Sequence, residues 1–151
     1  MTEKKGLTRY VWPTILILSL VIIGFSVFFM FLTQTIYNVT LERTGSSLTW
    51  QSLDENSVAA ISFIINRANW DEIWFGLLGV FCAWGLKKKE KFAWSLGVFW
   101  SVMLLGSGII IGVNELYVLG WSEVCLQTYD FIIVGSISLV VLLLTREDFR
   151  K

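Results

Sequence analysis

The sequence contains no histidine, so the side chain that most often serves as a general base, a proton switch or a metal ligand is missing. Zinc hydrolysis and Ser-His-Asp catalysis are therefore excluded in their usual forms. The two cysteines, Cys82 and Cys125, lie in different segments and form no C-x-x-C motif, so we predict neither a disulfide framework nor a redox site. Carboxylates remain as groups that could bind Ca²⁺ or Mg²⁺ or carry protons. We predict no cofactor and no bound metal.

Charge is also scarce, at 16% of residues against roughly 25% in soluble domains. Hydrophobic residues make up 55% and the mean hydropathy is +0.67, which is typical of a membrane protein. A length of 151 residues fits a single domain. We predict an all-α integral membrane four-helix bundle. Its expected spans are about 11–33, 70–87, 92–113 and 128–146, and only the first and third contain the roughly 20 apolar residues that cross a bilayer comfortably.

The charges that do exist are separated by sign along the chain. Lys87, Lys88, Lys89 and Lys91 lie between the second and third predicted spans. Because Lys and Arg are retained on the cytoplasmic side of short loops, residues 87–91 are expected inside. Four crossings then put both termini in the cytoplasm of a plasma-membrane protein. The lysine cluster has no interleaved aromatic residues or surrounding basic fold, so we predict no nucleic-acid partner.

The predicted outer loops cover residues 34–69 and 114–128. Ser52 and Glu55 have the spacing of a capping box, which predicts an additional helix that begins at Leu53 and runs to Trp70. This helix could lie in the membrane interface or continue into the second span, and the sequence leaves both alternatives open. Pro13 is expected near the start of the first helix, where its missing N–H costs nothing, and that helix is expected to reach Gly45.

Acidic residues converge at the outer ends of three predicted spans. The uncharged part of the second span, 73–86, has 14 residues, or about 21 Å of helix against roughly 30 Å of hydrocarbon. This mismatch would draw Asp71 and Glu72 toward the bilayer, where ionised groups need a partner or a polar cavity. We predict a polar vestibule that is open to the outside and could hold a cation, a polar headgroup or a small substrate. Its residues would be Arg67, Asp71, Glu72, Asn114, Glu115, Tyr129 and Asp130. The alternative is a set of solvated helix ends with a weak salt bridge between Arg67 and Asp71.

The segment "TGSSLTW", together with "WFGLLGVFCAWGLKKKEKFAW", resembles small prokaryotic four-helix membrane proteins of uncharacterised activity that are DoxX-like in layout. The resemblance covers about residues 44–95. In those proteins a glycine-rich second helix enters a basic turn with the pattern K/R-G-E-K-W-A-W. Here Lys89 replaces the glycine and Phe92 replaces the first tryptophan. The resemblance implies the helical layout and no catalytic residue.

The sequence favours a non-enzymatic accessory or binding module. Its partners would be the lipid bilayer together with a lipid, a hydrophobic small molecule, a partner membrane protein or a second copy of the chain. The alternative is a small membrane enzyme or an ion-coupled transporter that uses the outer carboxylates.

Overall fold

Four α-helices make up most of the computed structural model, which describes residues 8–32, 34–35, 37–38, 42, 49–119 and 126–149. Their bounds are Thr8–Phe31 (α1), Glu55–Lys87 (α2), Lys91–Leu119 (α3) and Leu126–Leu144 (α4). Two short 3-10 turns, Trp50–Ser52 and Arg146–Phe149, precede α2 and follow α4. These described ranges contain no strand. The predicted all-α fold with four helices is confirmed.

The first part of α2 is not a separate outer helix. The helix runs unbroken for 33 residues because neither proline nor glycine occurs between Leu53 and Phe75. It begins after Asp54, whose carboxylate accepts a hydrogen bond from the Ser57 N–H at 3.0 Å. The predicted cap at Ser52 is wrong, because the Ser52 hydroxyl is already paired with the backbone of Thr49 in the preceding turn.

The position of Pro13 also differs from the prediction. Pro13 is the sixth residue of α1, inside the helix, where a backbone N–H would normally bond to the carbonyl of Arg9. The expectation that its missing N–H costs nothing is therefore wrong. The helix ends at Phe31, and the predicted cap at Gly45 lies outside the described residues.

The helices pack in sequence order around a ring. Extensive contacts join α1 to α2 and α3 to α4, with smaller ones between α2 and α3 and between α1 and α4. Glycines permit the closest approaches, as expected for helices packed inside a bundle. A Cβ atom on Gly79 would lie 2.6 Å from Cζ2 of Trp100, and one on Gly135 would lie 2.9 Å from the backbone nitrogen of Leu105. Indole N–H groups add two cross-helix hydrogen bonds of 2.8 Å, from Trp94 to the Leu142 carbonyl and from Trp100 to the Phe75 carbonyl.

A tight turn at residues 88–90 reverses the chain between α2 and α3. The N–H of Lys89 bonds to the carbonyl of Leu86, and the N–H of Glu90 bonds to the carbonyl of Gly85, both at 3.0 Å. This is the Schellman pattern of a helix C-terminus. Lys89 has a φ of 59°, in the left-handed region that favours glycine.

The interior mixes apolar with small polar side chains, while the surface is strongly apolar. Ile15, Ile22, Trp100, Leu104 and Leu142 belong to a buried hydrophobic cluster. Fully or almost fully buried polar side chains include Ser19, Ser26, Ser101, Thr128, Ser138 and Thr145. Large apolar side chains point outward along every helix, among them Ile17, Phe28, Phe31, Trp74, Phe99, Ile110, Ile133 and Leu144. So many exposed large apolar side chains are unusual for a fold in water.

Two helical segments, Thr8–Phe31 and Lys91–Asn114, are long and apolar enough to cross a membrane, with mean hydropathies of 2.7 and 2.1. Only 22% and 33% of their most apolar windows are buried, so most of that apolar surface faces outward. The segment Thr128–Leu144 is apolar but shorter.

Candidate functional site

A polar stripe on α2 turns toward the interior of the bundle. Asn66, Asn69 and Glu72 follow each other at three-residue spacing, which keeps them near one side of a helix. Asn69 is 3% exposed and Glu72 is 7% exposed. A carboxyl group this deeply buried requires polar partners, since an unpaired charge in an apolar interior is strongly unfavourable. The hydrogen-bond partner of Glu72 comes from α1, and a second carboxyl group, that of Asp130, lies on α4.

The partner on α1 is Ser26. Its hydroxyl oxygen lies 2.9 Å from Oε2 of Glu72 and 2.8 Å from the backbone carbonyl of Ile22. The single hydroxyl proton can be donated to only one of these acceptors at a time. Ser26 therefore either supports its own helix or links α1 to α2 through the carboxylate.

The neighbour on α4 is Asp130, which is half-buried near the start of that helix. Glu72 itself is buried. A carboxylate in a poorly hydrated environment is stabilised by a proton, a cation or a hydrogen-bond donor.

The structure divides the predicted vestibule into two faces of α2. Arg67 and Asp71 form the expected salt bridge, with 3.2 Å between Nε and Oδ1, but their side chains are 67% and 56% exposed. Asp71 and Glu72 point apart because consecutive helical residues are separated by about 100° around the axis. The bundle interior thus receives Glu72, while Asp71 faces outward.

Two further predicted residues, Asn114 on α3 and Tyr129 on α4, are exposed. The side chain of Glu115 lies outside the described residues. Of the seven predicted residues, the structure therefore buries Glu72, half-buries Asp130 and pairs Arg67 with Asp71 on the surface.

Asp71 instead borders a shallow surface groove of about 350 Å³ together with Trp74, Phe75 and Leu78. These four residues all belong to α2. The groove therefore lies on the surface of α2, and its described lining includes neither Glu72 nor Asp130.

Sequence reasoning missed Ser26, Asn66 and Asn69. Ser19 and Ser26 are seven residues apart in an otherwise apolar helix, which is the spacing of one helix face and could have identified the buried side of α1. The three-residue spacing from Asn66 to Glu72 was a comparable signal on α2. Within the described part of the chain, Oδ1 of Asn66 is buried without a hydrogen-bond partner, so the stripe is not fully satisfied.

No family model, curated protein or solved structure matches the chain.

Proposed function

We propose that the protein is an integral membrane protein whose four helices all cross the bilayer, with both termini in the cytoplasm. The apolar surface supports this most directly. Side chains such as Phe28, Phe31 and Ile110 project outward, and buried serines lie among the apolar side chains of the interior. In lipid no hydrophobic effect drives helices together, so small and polar residues at helix contacts hold a bundle, as Ser19, Gly79 and Gly135 do here.

The unbroken α2 is long enough to cross the bilayer. Thirty-three residues of helix extend about 50 Å, more than the roughly 30 Å of hydrocarbon. Its uncharged part is still residues 73–86, and α2 is not among the helices that are apolar enough to span by length and composition alone. Its charged residues are partly compensated, since Glu72 faces the bundle and Arg67 pairs with Asp71.

Within the membrane, we propose that the protein acts as a non-enzymatic accessory or binding module, with a lipid, a hydrophobic small molecule or a partner membrane protein as its ligand. The chain has no histidine, and its outer carboxylates are divided between two faces. A protein of this kind works through its surface and its pockets.

Cysteine labelling tests the insertion and the orientation. In a background with Cys82→Ala and Cys125→Ser, single cysteines at Thr49 and Lys88 report opposite ends of the bundle. A membrane-impermeant maleimide should label Thr49→Cys in intact spheroplasts and Lys88→Cys only after permeabilisation. Alkaline carbonate should leave both proteins in the membrane pellet. Release by carbonate, or equal labelling at both positions in intact spheroplasts, contradicts the proposal.

The second candidate function is an ion-coupled transporter or small enzyme that uses the carboxyl groups of Glu72 and Asp130. The observation in its favour is that Glu72 is buried in the bundle beside Ser26 and that Asp130 is half-buried. The matched variants are Glu72→Gln and Asp130→Asn, with the exposed Asp71→Asn as control. If the protein is a binding module, all three variants should match the wild type in cellular activity and in the proton permeability of liposomes that contain them. Selective loss in the first two variants, with folded protein retained, favours the second candidate.

A further inference from the structure

The opposite end of the bundle contains a basic pocket that the outer site does not involve. It has a volume of about 570 Å³, within the range of small-molecule pockets. It lies where α1 begins, α2 ends and the chain folds back after α4. Its lining residues are Thr8, Arg9, Trp12, Leu86, Lys87, Lys89, Asp148 and Phe149.

The charge of this inner pocket is unbalanced. Among the described lining residues, Arg9, Lys87 and Lys89 contribute three positive charges against one negative charge from Asp148, which is a net charge of +2. The Thr8 hydroxyl donates a hydrogen bond to the Asp148 carboxylate, which ties the start of α1 to the segment after α4. That contact closes one wall of the pocket. The cations on the other walls lack an equal number of acids.

The backbone conformation of Lys89 indicates that its side chain does more than complete the turn. A φ of 59° is unfavourable for a residue with a Cβ, and glycine would form the same turn without strain. Lysine occupies the position, and its side chain lines the pocket. The neighbouring ammonium of Lys87 lies 4.9 Å from the ring centroid of Trp12, which restricts it to the pocket side of α2.

An apolar wall completes the pocket. Leu86 is 3% exposed and Phe149 is 7% exposed, and both lie beside the ring of Trp12. The pocket therefore combines cationic donors with an apolar surface at the end of a membrane bundle. A guanidinium and two ammonium groups suit phosphate oxygens, which accept several charge-assisted hydrogen bonds. The apolar wall suits the glycerol and upper acyl chain that follow a lipid phosphate.

We propose that the inner pocket binds a phosphate group, and that this phosphate belongs to the headgroup of an anionic phospholipid in the cytoplasmic leaflet. Basic pockets between helices on the cytoplasmic side are suited to such headgroups. The inference rests on the proposed membrane insertion and on the orientation that places the lysine turn inside. Free phosphate shares the same chemistry, and the experiment separates the two sources.

The test compares two double variants that remove equal charge from the same end of the molecule. Arg9→Gln with Lys89→Gln removes two pocket cations. Lys88→Gln with Lys91→Gln removes two neighbouring cations that do not line the pocket. Purified protein in detergent is mixed with equal amounts of phosphatidylglycerol and phosphatidylcholine of matched chains, and native mass spectrometry gives the fraction bound to each lipid. A second series adds excess inorganic phosphate, with chloride at equal ionic strength as its control.

The wild type should prefer phosphatidylglycerol, and the pocket double variant should weaken that binding about tenfold or more, since each basic side chain near an anionic headgroup contributes roughly fivefold. The control double variant should change it by less than about threefold. Equal loss in both double variants indicates diffuse attraction and overturns the proposal, as does the absence of any preference. Displacement of the lipid by phosphate but not by chloride supports the phosphate site. Binding of phosphate without binding of the lipid overturns the lipid assignment.

Circular dichroism and size-exclusion chromatography establish that each variant is folded. Carbonate extraction is performed on the same variants, which separates a failure of the inner pocket from a failure of the proposed membrane insertion. A chain that stays in the membrane and shows no preference for anionic lipid overturns only the inner pocket. A chain released by carbonate overturns the proposed insertion.

Discussion

The two ends of the bundle accommodate charge in opposite ways. At the outer end, Glu72 is 7% exposed and hydrogen-bonded to Ser26 from the neighbouring helix. At the inner end, Lys87 and Lys88 remain exposed and lie over tryptophan rings, with 4.9 Å and 3.7 Å from the ammonium nitrogen to the ring centroid. The difference follows from side-chain length. A lysine can extend along an apolar surface to water, whereas a glutamate has less reach and must find a partner within the bundle.

The same contrast occurs between consecutive residues of α2. Asp71 faces outward and pairs with Arg67 in an exposed salt bridge, which contributes little free energy. Glu72, one residue later, faces the interior, where removal of a partner is costly. The two adjacent carboxylates therefore affect stability to different extents, and substitutions at the two positions measure that difference directly.

Charge reversal at the outer end should give the largest effect. Glu72→Lys places an ammonium in a poorly hydrated interior without an arranged acceptor, and we expect a loss of about 3 kcal/mol or more in the free energy of unfolding. The matched control is Asp71→Lys, which adds the same charge one residue away and should cost less than about 1 kcal/mol. Titration of the purified proteins with sodium dodecyl sulfate measures both. Similar losses for the two variants would contradict the burial of Glu72.

Removal of the serine that bonds to Glu72 should give a smaller effect. Ser26→Ala deletes the hydroxyl next to the carboxylate, and we expect a loss of about 2 kcal/mol, in the range for a buried hydrogen bond to a charged group. Ser19→Ala is the control, because Ser19 is equally buried but bonds only to the carbonyl of Ile15 in its own helix. It should cost less than about 1 kcal/mol. Equal effects would show that the Ser26 contact with Glu72 contributes nothing.

The buried face of α2 explains why the sequence predicted the helices better than it predicted the candidate site. Four helices, the basic turn and the close glycine contacts all follow from local composition. The direction of Glu72 is harder to predict, because polar residues occur on two faces of α2, with Asn66, Asn69 and Glu72 on one and Arg67 and Asp71 on the other. The partner Ser26 lies 46 residues away, and its contact depends on the rotation of α1 as well.

The prediction of where α2 begins was wrong for a local reason. The sequence offers both Ser52 and Asp54 as acceptors for the first turn. A capping-box pattern favoured Ser52, but that hydroxyl pairs with Thr49, and the carboxylate of Asp54 makes the cap. Spacing alone did not show which acceptor was already engaged.

A single substitution at the inner end should separate stability from binding. Lys89→Gly relieves the left-handed backbone strain, so we expect a gain of about 1 kcal/mol in the free energy of unfolding. The same change removes a pocket cation and should weaken phosphatidylglycerol binding by about fivefold. Lys88→Gly is the control, since Lys88 has a φ of −81° and gains nothing from glycine. A loss of stability at position 89 would contradict the strained turn, and unchanged lipid binding would contradict the pocket.

We expect the smallest effect at Asp54, which caps α2 and belongs to neither of the two ends compared above. The Ser57 hydroxyl and the Ser57 N–H hydrogen-bond to its carboxylate at 2.7 Å and 3.0 Å and lower the pKa of Asp54 from its ordinary value of 3.8. Because the pKa is lower in the folded state, the folded protein binds fewer protons at this group than the unfolded chain does. The stabilisation is therefore complete above pH 3.8 and is lost as the pH falls through the lowered value.

Hydrogen exchange of the first turn of α2 should report this loss. We expect the protection of the Ser57 amide, corrected for intrinsic exchange, to fall as the medium becomes more acidic than the pKa of Asp54. Asp54→Asn is the matched control, because asparagine caps a helix about as well and does not titrate. Its protection should stay constant over the same range, while the turn at residues 88–90 should show no such dependence in either protein. Parallel loss of protection in the wild type and in Asp54→Asn would mean that another group controls the start of α2, and the cap would then be structural without being the titrating element.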